Sequence, residues 1–356
     1  MINPSFWHGK KVFVTGHTGF KGSWLCLWLE KMGAIVRGYS LPAPTEPSLF
    51  AVANVRQGLI SEEGDIRDFF HLREALADFK PEIVFHMAAQ PLVRLSYDEP
   101  IETYSTNIMG TVYILEAIKQ VGGVKAVVNI TSDKCYENRE WVWGYREDEA
   151  MGGYDPYSNS KGCAELVASA YRNSFFNAAK YHEHGTALAS VRAGNVIGGG
   201  DWAKDRLIPD ILRSFENNQP VIIRNPHSIR PWQHVLEPLS GYLLVAQKLY
   251  TEGPAFAEGW NFGPNEMDAT PVQAIVDTMV GLWGDEASWQ LDGQDHPHEA
   301  HYLKLDCSKA KMRMDWHPRW DLNTTLSRIV DWHKAWLTGE DMRTYTLNEI
   351  NDYMNS

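Results

Sequence analysis

The sequence predicts an α/β fold, a doubly wound parallel sheet followed by a smaller mixed α/β substrate domain. Three observations support this prediction. Short apolar strands alternate with helical patterns through the first half, a glycine-rich loop joins the first strand to the first helix, and glycine and proline interrupt the pattern after residue 192. Strands that alternate with helices pair in parallel, because each helix carries the chain back across the sheet. A chain of 356 residues is long enough for two domains.

The predicted strands of the first half are runs of β-branched, aromatic and other apolar residues, at 11–15, 34–39, 82–89, 125–131 and 187–192. Apolar residues at helical spacing predict helices over 23–32, 100–120 and 157–179. Pro42, Pro44 and Pro47 predict a loop after the second strand, because proline fixes φ and lacks a backbone donor. Beyond residue 192 the pattern predicts shorter helices and an irregular second domain.

Composition and charge limit the class of protein. The chain has 33 Lys and Arg against 45 Asp and Glu, a net charge of −12 that argues against a nucleic-acid partner. A few well-placed cations can still hold a small anionic substrate. The four cysteines are widely spaced, which predicts neither a disulfide framework nor a metal site. No apolar run approaches the ~20 residues that span a bilayer, so we expect a cytoplasmic protein without a membrane partner.

A glycine-rich loop, Gly16-His17-Thr18-Gly19-Phe20-Lys21-Gly22, joins the first strand to the first helix. Its glycines allow a tight turn and a close approach of the backbone to a ligand. The N-terminus of the helix offers N–H groups and partial positive charge to a pyrophosphate. The loop therefore predicts dinucleotide binding, with a tight packing turn as the alternative.

Two further positions concern the adenosine end of such a ligand. Asp65, followed by Ile66, is placed to accept a hydrogen bond from the adenine amine, and an ordinary solvated turn is the alternative. An acidic residue at the end of the second strand would indicate NAD. This sequence has Tyr39-Ser40-Leu41 there, with Arg37 nearby. Local chemistry therefore leaves the choice between NAD and NADP open.

Tyr157 and Lys161 lie four residues apart at the start of a predicted helix, so their side chains share one face. A tyrosine with its usual pKa near ~10 is a poor base at neutral pH. A neighbouring ammonium and a cationic nicotinamide would lower that pKa. Ser132 ends a strand about 25 residues upstream, at the edge of the sheet where α/β proteins bind ligands, and can bond the same substrate oxygen. Two exposed helix residues are the alternative interpretation of the Tyr-Lys spacing.

These features together resemble the extended short-chain dehydrogenase/reductase family. The segments His86-Met87-Ala88-Ala89-Gln90 and Asn107-Ile108-Met109-Gly110-Thr111 match other motifs of its cofactor domain. The resemblance covers the first half of the chain and implies a Rossmann-type sheet with NAD as cofactor. The cofactor-binding residues that it implies are Gly16, Gly19, Phe20, Gly22, Asp65, Ile66, Ala88, Ala89, Asn107, Tyr157 and Lys161.

The residues after Ser132 indicate a branch of that family. Ser132-Asp133-Lys134-Cys135-Tyr136 looks like the nucleotide-sugar 4,6-dehydratases that act on CDP-glucose, in which lysine replaces a glutamate. The resemblance implies that Tyr157 takes a proton from the C4 hydroxyl, with Ser132 and Lys161 beside it. Asp133 would then be the acid and Lys134 the base of the elimination, and burial should raise the pKa of Asp133. A simple ion pair between Asp133 and Lys134 is the alternative.

The same resemblance implies the substrate contacts, the domain organisation and the assembly. The substrate-binding residues would be Ser96, Asn195, Arg206, Arg230, His298 and His301. Residues 1–191, with a return segment around 236–262, would bind the dinucleotide. Residues 192–235 and 263–356 would bind the nucleotide sugar. Family members pair the helices that correspond to 101–120 and 157–179, which implies a homodimer.

Two other functions remain open at this point. A nucleotide-sugar 4-epimerase would use the same Tyr157 and cofactor without an elimination pair, and its product would keep the C6 hydroxyl. A non-catalytic NAD-binding regulator would bind the cofactor without turnover. The presence of Ser132, Tyr157 and Lys161 together argues against the regulator.

Overall fold

The computed structural model describes residues 2–284, 287–292 and 303–356. Within them the strands, in chain order, are β1 (Lys11–Thr15), β2 (Ile35–Ser40), β3 (Ile60–Glu63), β4 (Ile83–His86), β5 (Ala126–Ile130), β6 (Ala187–Ala193), β7 (Val196–Ile197), β8 (Val221–Ile223), β9 (Ile229–Pro231), β10 (Gln233–His234), β11 (Gly259–Phe262), β12 (Ala269–Pro271) and β13 (Trp289–Leu291). The helices are α1 (Pro4–Trp7), α2 (Phe20–Lys31), α3 (Leu49–Val52), α4 (Phe69–Phe79), α5 (Val93–Asp98), α6 (Pro100–Tyr104), α7 (Gly110–Val121), α8 (Pro156–Ser174), α9 (Tyr181–His184), α10 (Leu207–Glu216), α11 (Leu236–Glu252), α12 (Val272–Trp283), α13 (Ser308–Met314), α14 (Leu322–Leu337) and α15 (Met342–Asn355).

Seven parallel strands form the central sheet, in the order β11-β6-β5-β4-β1-β2-β3. The predicted doubly wound parallel sheet is confirmed. The chain builds β1 to β3 outward, then crosses to the other side of β1 for β4. Ligands of such sheets bind at the carboxyl ends of the strands beside this reversal, between β1 and β4. The last strand, β11, is supplied by the return of the chain after α11.

The central strands are apolar on both sides because helices cover both faces of the sheet. Val12 and Val14 of β1 pack into one apolar cluster, whereas Phe13 between them packs into a second cluster on the opposite face. Within the described residues, no helix is both long and apolar enough to cross a membrane.

Three predicted elements have different bounds in the structure. The strand expected over 82–89 ends at His86, because the backbone N–H groups of Met87 and Ala88 donate to Thr15 Oγ1, each at 3.1 Å. The helix expected over 100–120 contains a π-helical turn, Ser105–Met109, between α6 and α7. The helix expected to reach residue 179 ends at Ser174, and Asn177 caps a separate turn by accepting from Ala179 N.

The second half is more regular than expected. Helices α11, α14 and α15 have 17, 16 and 14 residues, so they are longer than α2, α4 and α7 of the first half, although shorter than α8. The expected boundary at residue 191 falls inside β6, which continues to Ala193 in register with β11. Helix α15 packs against α2, where the rings of Trp28 and Tyr353 lie 5.5 Å apart and Arg343 pairs with Glu30. Helix α15 also packs against α14, where Trp332 Nε1 donates to Thr346 Oγ1 at 3.0 Å, so the end of the chain contacts both halves.

Candidate active site

The glycine-rich loop lies at the carboxyl end of β1 and leads directly into α2, whose first turn begins after Gly19. Gly16 has φ +76°, and a Cβ there would lie 2.7 Å from the backbone nitrogen of Ala88. A Cβ on Gly22 would lie 2.1 Å from the carbonyl oxygen of Gly16. Side chains at either position would fill the close approach between loop and helix. The bare backbone and the helix N-terminus suit a pyrophosphate group, as predicted for a dinucleotide.

The other expected cofactor residues lie around this loop. Ala88 and Ala89 follow β4, and the backbone of Ala88 lies directly beside Gly16. Ile66 is buried after β3, next to Asp65. Both oxygens of Asp65 bond Arg67, and this hydrogen bonding lowers the pKa of the Asp65 carboxyl. Phe20 opens α2, where its ring lies beside the backbone of the second half at residue 198.

The contacts of Asn107 do not match the expectation that its side chain binds the cofactor. Its amide oxygen accepts from Gln90 N at 2.9 Å, and its amide nitrogen donates to Gln90 O at 3.1 Å and to Ser160 Oγ at 2.8 Å. The side chain is buried, and both ends of its amide are used within the protein. Asn107 therefore joins the loop after β4 to α8 and supports the cofactor loop indirectly.

In its first two turns, helix α8 carries Tyr157 and Lys161 to a buried position near the end of β5, which is called the pocket below. Asp155 caps the helix, because its Oδ1 accepts from Ser158 N at 2.9 Å and its Oδ2 accepts from Ser158 Oγ at 2.6 Å. Tyr157 and Lys161 are both buried on the inner face of the helix. Lys161 Nζ points to the end of β5, where it donates to the carbonyl oxygen of Ile130 at 3.5 Å.

Ser96 supports this helix instead of facing the substrate. It is fully buried, its hydroxyl donates to the carbonyl oxygen of Val93 at 2.6 Å, and its Oγ accepts from Tyr157 N at 3.1 Å. The substrate contact expected of Ser96 is corrected accordingly. Its hydroxyl helps to hold the backbone of Tyr157 in place.

Burial changes the pKa of Tyr157 more than the neighbouring cations do. Burial raises the pKa of the Tyr157 phenol to about 12, although a hydrogen bond to Ser132 and the charge of Arg206 act to lower it. The expectation of a lowered pKa is therefore wrong for the protein's own groups. Burial also lowers the pKa of Lys161 to about 8, against the opposing charge of Glu165. The two effects move the pKa values of this pair apart, from the usual 10.0 and 10.5 to about 12 for Tyr157 and about 8 for Lys161.

The turn Asp133–Cys135 follows β5 and brings a carboxyl group into the same pocket. Ser132 Oγ donates to Asp133 Oδ1 at 3.0 Å and accepts from Lys134 N at 3.2 Å, and its hydroxyl also acts to lower the pKa of Tyr157. Asp133 is buried, and burial raises the pKa of its carboxyl despite the nearby charges of Lys134 and Arg230. A protonated carboxyl at neutral pH is the form that can act as an acid.

The expected substrate residues approach this pocket from the second half. Arg206 donates to Asp201 Oδ2 at 2.9 Å, and its charge acts on the Tyr157 hydroxyl. The Arg230 guanidinium acts on Asp133. Asn195 follows β6, and the preceding Gly194 lies against Asp133, because a Cβ there would be 3.0 Å from Asp133 Oδ2. His298 and His301 lie outside the described residues.

Lys21 is a member of the pocket that the sequence reasoning missed. It lies in the first turn of α2 over the ring of Tyr242, at 5.7 Å from the centroid. Burial lowers the pKa of Lys21 to about 7, and the charges of Lys161 and Arg206 lower it further. The sequence feature that could have indicated Lys21 is a charged residue inside the glycine loop, on the face of a helix that packs on the sheet.

Arg37 at the second strand is not a clamp for a phosphate. Its Nη1 bonds Asp78 at 2.8 Å and its Nε lies 3.0 Å from a Glu62 oxygen. Both carboxylates direct the guanidinium toward α4 and β3.

Comparisons of the sequence give relatives over the whole chain. Residues 13–329 match the family described as GDP-mannose 4,6 dehydratase. The chain is 75% identical to the CDP-glucose 4,6-dehydratase of Salmonella typhimurium strain LT2 over 356 residues, which cover 100% of this chain and 99% of that protein.

Comparisons of the structure agree on the fold. The chain is similar to MoeE5 in complex with UDP-glucose and NAD, with a TM-score of 0.76 and 24% identity over 92% of this chain and 99% of that chain. It is also similar to the dTDP-glucose 4,6-dehydratase of Bacillus anthracis in complex with NAD, with a TM-score of 0.74 and 20% identity over 93% and 99% of the two chains.

Proposed function

The chain belongs to the GDP-mannose 4,6 dehydratase family, and from this premise we propose that it catalyses the NAD-dependent dehydration of CDP-D-glucose to CDP-4-keto-6-deoxy-D-glucose. The enzyme is then a hydro-lyase of the short-chain dehydrogenase/reductase type. Identity of 75% along the full length of a CDP-glucose 4,6-dehydratase supports both the reaction and the substrate.

One observation in the structure carries this proposal. Tyr157, Lys161 and the Asp133 carboxyl are buried close together, since the charge of Asp133 acts on Tyr157, and Ser132 donates to Asp133 Oδ1 at 3.0 Å. Oxidation at C4 needs only the first pair, as in an epimerase. A buried carboxyl with a raised pKa, next to Lys134, supplies the acid that loss of water needs in addition.

The residues of the chain can be given roles in order. Tyr157 takes the proton of the C4 hydroxyl, while Ser132 bonds the same oxygen and Lys161 stabilises the phenolate. Bound NAD would supply the acceptor for the C4 hydride and the source of the hydride for C6. Lys134 takes the C5 proton, which the C4 ketone makes acidic, and returns a proton to C5 at the end. Asp133 gives its proton to the C6 oxygen, which leaves as water.

The residues around the glycine loop fit NAD. Gly16, Gly19 and Gly22 would hold the pyrophosphate, because side chains at Gly16 and Gly22 would fill the space that the backbone leaves open. Asp65 and Ile66 would lie at the adenosine end, with Ala88 and Ala89 on the other side of the loop. We also propose that Asn195, Arg206 and Arg230 bind the sugar diphosphate, since guanidinium groups bind phosphate oxygens in pairs.

The decisive experiment is turnover on CDP-, dTDP-, GDP- and UDP-glucose with NAD or NADP in D₂O. We expect a 4-keto-6-deoxy product from CDP-glucose with NAD, detected by the absorbance of the ketone in alkali, with deuterium at C5. The Lys134→Met variant should lose both the product and the exchange at C5. A product that keeps its C6 hydroxyl would instead identify a 4-epimerase, and binding of NAD without any turnover would identify a regulator.

We further propose a homodimer. Large apolar side chains are exposed on the outer faces of α6, the π-helical turn and α8, namely Ile101 (84%), Met109 (41%) and Leu166 (59%). Burying these faces against a second copy would remove them from water. Light scattering should give twice the chain mass for the native protein and a monomer for Leu166→Glu. Leu337→Glu, an exposed leucine on α14, is the matched control and should remain dimeric.

The proposed site also gives the halves of the chain separate roles, with residues 1–191 and the segment 236–262 around the dinucleotide and much of the rest around the nucleotide sugar. We infer that the chain works in the cytoplasm and that its keto-deoxysugar product is used in lipopolysaccharide O-antigen biosynthesis. Cell fractionation, and the O-antigen of a strain without this chain, test the two inferences.

A further inference from the structure

A buried ion pair lies beneath the catalytic helix. Glu165 is four residues after Lys161 on α8, so the two side chains share a face. Arg192, on β6, bonds both Glu165 oxygens, with its Nε at 2.8 Å from Oε1 and its Nη2 at 2.9 Å from Oε2. Only 5% of the Arg192 side chain and 4% of the Glu165 side chain are exposed. Thr131 Oγ1, next to Ser132, donates to the same carboxylate at 2.5 Å.

The free side of the same guanidinium reaches the turn that carries Asp133. Arg192 Nη1 donates to the hydroxyl oxygen of Tyr136 at 2.5 Å and to the carbonyl oxygen of Glu147 at 3.0 Å. The Tyr136 hydroxyl in turn donates to Asn261 Oδ1 on β11, at 2.8 Å. Tyr136 directly follows the turn Asp133–Cys135. One buried arginine therefore contacts the helix of the oxidation pair and the turn of the elimination pair.

The Arg192–Glu165 pair acts on its neighbours through its charges as well as through its hydrogen bonds. The Glu165 carboxylate raises the pKa of Lys161, against the stronger lowering by burial. Arg192 holds the pKa of Glu165 below its usual value although burial acts in the other direction. Among the described residues, the charged and titratable groups that face Lys161, Tyr157 or Glu165 from the surrounding elements are Lys21, His86, Asp133, Cys135, Asp155, Arg172, Arg192, Arg206 and Tyr242.

We propose that Arg192 is a positioning residue of the dehydration, which cancels the Glu165 charge beneath Lys161 and holds α8 and the Asp133 turn in one register through Glu165 and Tyr136. The inference rests on the proposed function, because it concerns the two steps of that reaction. Arg192 is buried, and its guanidinium bonds groups of the protein itself. It acts through Glu165 on the Tyr157–Lys161 pair and through Tyr136 on Asp133.

Two single variants and the double variant test whether Arg192 cancels the Glu165 charge. Arg192→Met leaves an uncompensated carboxylate, which raises the pKa of every neighbouring group, so both limbs of the pH profile of kcat should move to higher pH. Glu165→Gln leaves an uncompensated guanidinium, and both limbs should move to lower pH. Each displacement should be about one pH unit, the size expected of one close charge. The double variant has neither charge, and its profile should return to the wild-type position even if its rate is reduced.

A merely structural role would lower the rate without moving the two profiles in opposite directions. Equal displacements of both single variants, or none, would overturn the proposal. If Arg192→Met does not fold, Glu165→Gln decides alone, because glutamine has nearly the same shape. A shift to lower pH supports the charge role, and an unmoved profile overturns it.

Tyr136→Phe tests the second part without changing any charge. Its pH profile should stay in place, while the ratio of dehydration to deuterium exchange at C5 should fall several-fold, because Asp133 is no longer held. A ratio equal to that of the wild type would overturn this part. An inactive wild-type protein on CDP-glucose would refute the proposed function itself, whereas an active wild type with unshifted variants would refute only the role of Arg192.

Discussion

At the scale of single residues, burial raises the pKa of two acids, and this change favours the proposed role of one and opposes that of the other. Burial raises the pKa of Tyr157 and also that of Asp133, so both groups hold their protons more tightly than in water. A raised pKa favours the protonated form of Asp133, which is the form that its proposed role as the acid requires. Tyr157 must lose its proton to act as a base, so it depends on positive charge close by. Arg206 provides such charge from the chain itself.

The Asp133→Asn variant should separate the two halves of the reaction. Asparagine keeps the size of the side chain and can still accept from Ser132, but it has no proton to give to the C6 oxygen. We expect kcat for dehydration to fall about 10²- to 10⁴-fold, the range typical of a lost general acid. Exchange at C5 should continue, so CDP-glucose recovered from D₂O should carry deuterium there.

Mass spectrometry of the remaining substrate and of the product measures both quantities in one sample. Asp315→Asn, at a carboxylate that is 87% exposed, is the control and should behave as the wild type. Undiminished dehydration by Asp133→Asn would exclude Asp133 as the acid and would favour its simple pairing with Lys134.

At the scale of elements, the N-terminus of α8 is the part of the fold on which the site depends most directly. Three groups hold its first turn, namely the Asp155 cap, Pro156 at the first position and the Ser96 hydroxyl bonded to Tyr157 N. Proline suits this position because its missing N–H has no partner there in any helix. The backbone of Tyr157 is thus fixed at the start of a 19-residue helix, where a helix would otherwise fray.

Removal of the α8 cap should therefore affect activity as well as stability. Asp155→Ala should lower the free energy of unfolding by about 1 kcal/mol, and kcat should also fall because the first turn loosens around Tyr157. Asp321→Ala removes the same kind of cap from α14, where Asp321 Oδ1 accepts from Thr324 N at 2.8 Å. It should cost a similar amount of stability and leave kcat unchanged.

Denaturant unfolding and steady-state kinetics on the two variants make this comparison. Asp155→Asn keeps an oxygen that can accept from Ser158 N, so most of the stability should remain. Equal kinetics for the two alanine variants would show that the α8 cap has no special part in the reaction.

At the scale of the whole molecule, a buried carboxyl group joins the last helix to the middle of the chain. Glu237, on α11, accepts from Trp320 N at 2.8 Å, from Arg319 N at 3.1 Å and from the Tyr353 hydroxyl at 2.6 Å. Burial raises the pKa of Glu237 above its usual 4.5, although these hydrogen bonds lower it. This one side chain joins α11, the loop before α14 and α15.

Glu237 should make stability depend on pH. The folded protein holds the Glu237 proton more tightly than the unfolded chain does, so the stability from this proton is full below about pH 4.5 and is lost as the pH rises through the folded pKa. Glu237→Gln removes this titration and keeps an acceptor oxygen. Its free energy of unfolding, measured with denaturant from pH 5 to 8, should therefore fall less steeply with pH than that of the wild type.

The exposed glutamate of the loop before α15 provides the control, and Glu340→Gln should follow the wild-type slope. A Glu237→Gln slope equal to that of the wild type would mean that the group titrates alike in the folded and unfolded chains.

The sequence by itself determined the features that depend on short stretches of chain. The parallel sheet follows from strands that alternate with helices, and the glycine loop lies at the β1–α2 junction because only glycine allows that close approach. Tyr157 and Lys161 share a face because residues four apart on a helix always do. Asp133 enters the same pocket because the carboxyl ends of parallel strands meet at one edge of the sheet.

Only the tertiary structure decided which polar groups face the ligands and which serve the protein. Ser96 and Asn107 are used internally, Lys21 enters the pocket from α2, and Arg192 reaches both catalytic elements. These contacts join residues that are far apart along the chain, and local periodicity carries no information about them. The pKa of Tyr157 has the same origin, because burial depends on every element that packs around the phenol, and that sum exists only once the chain is folded.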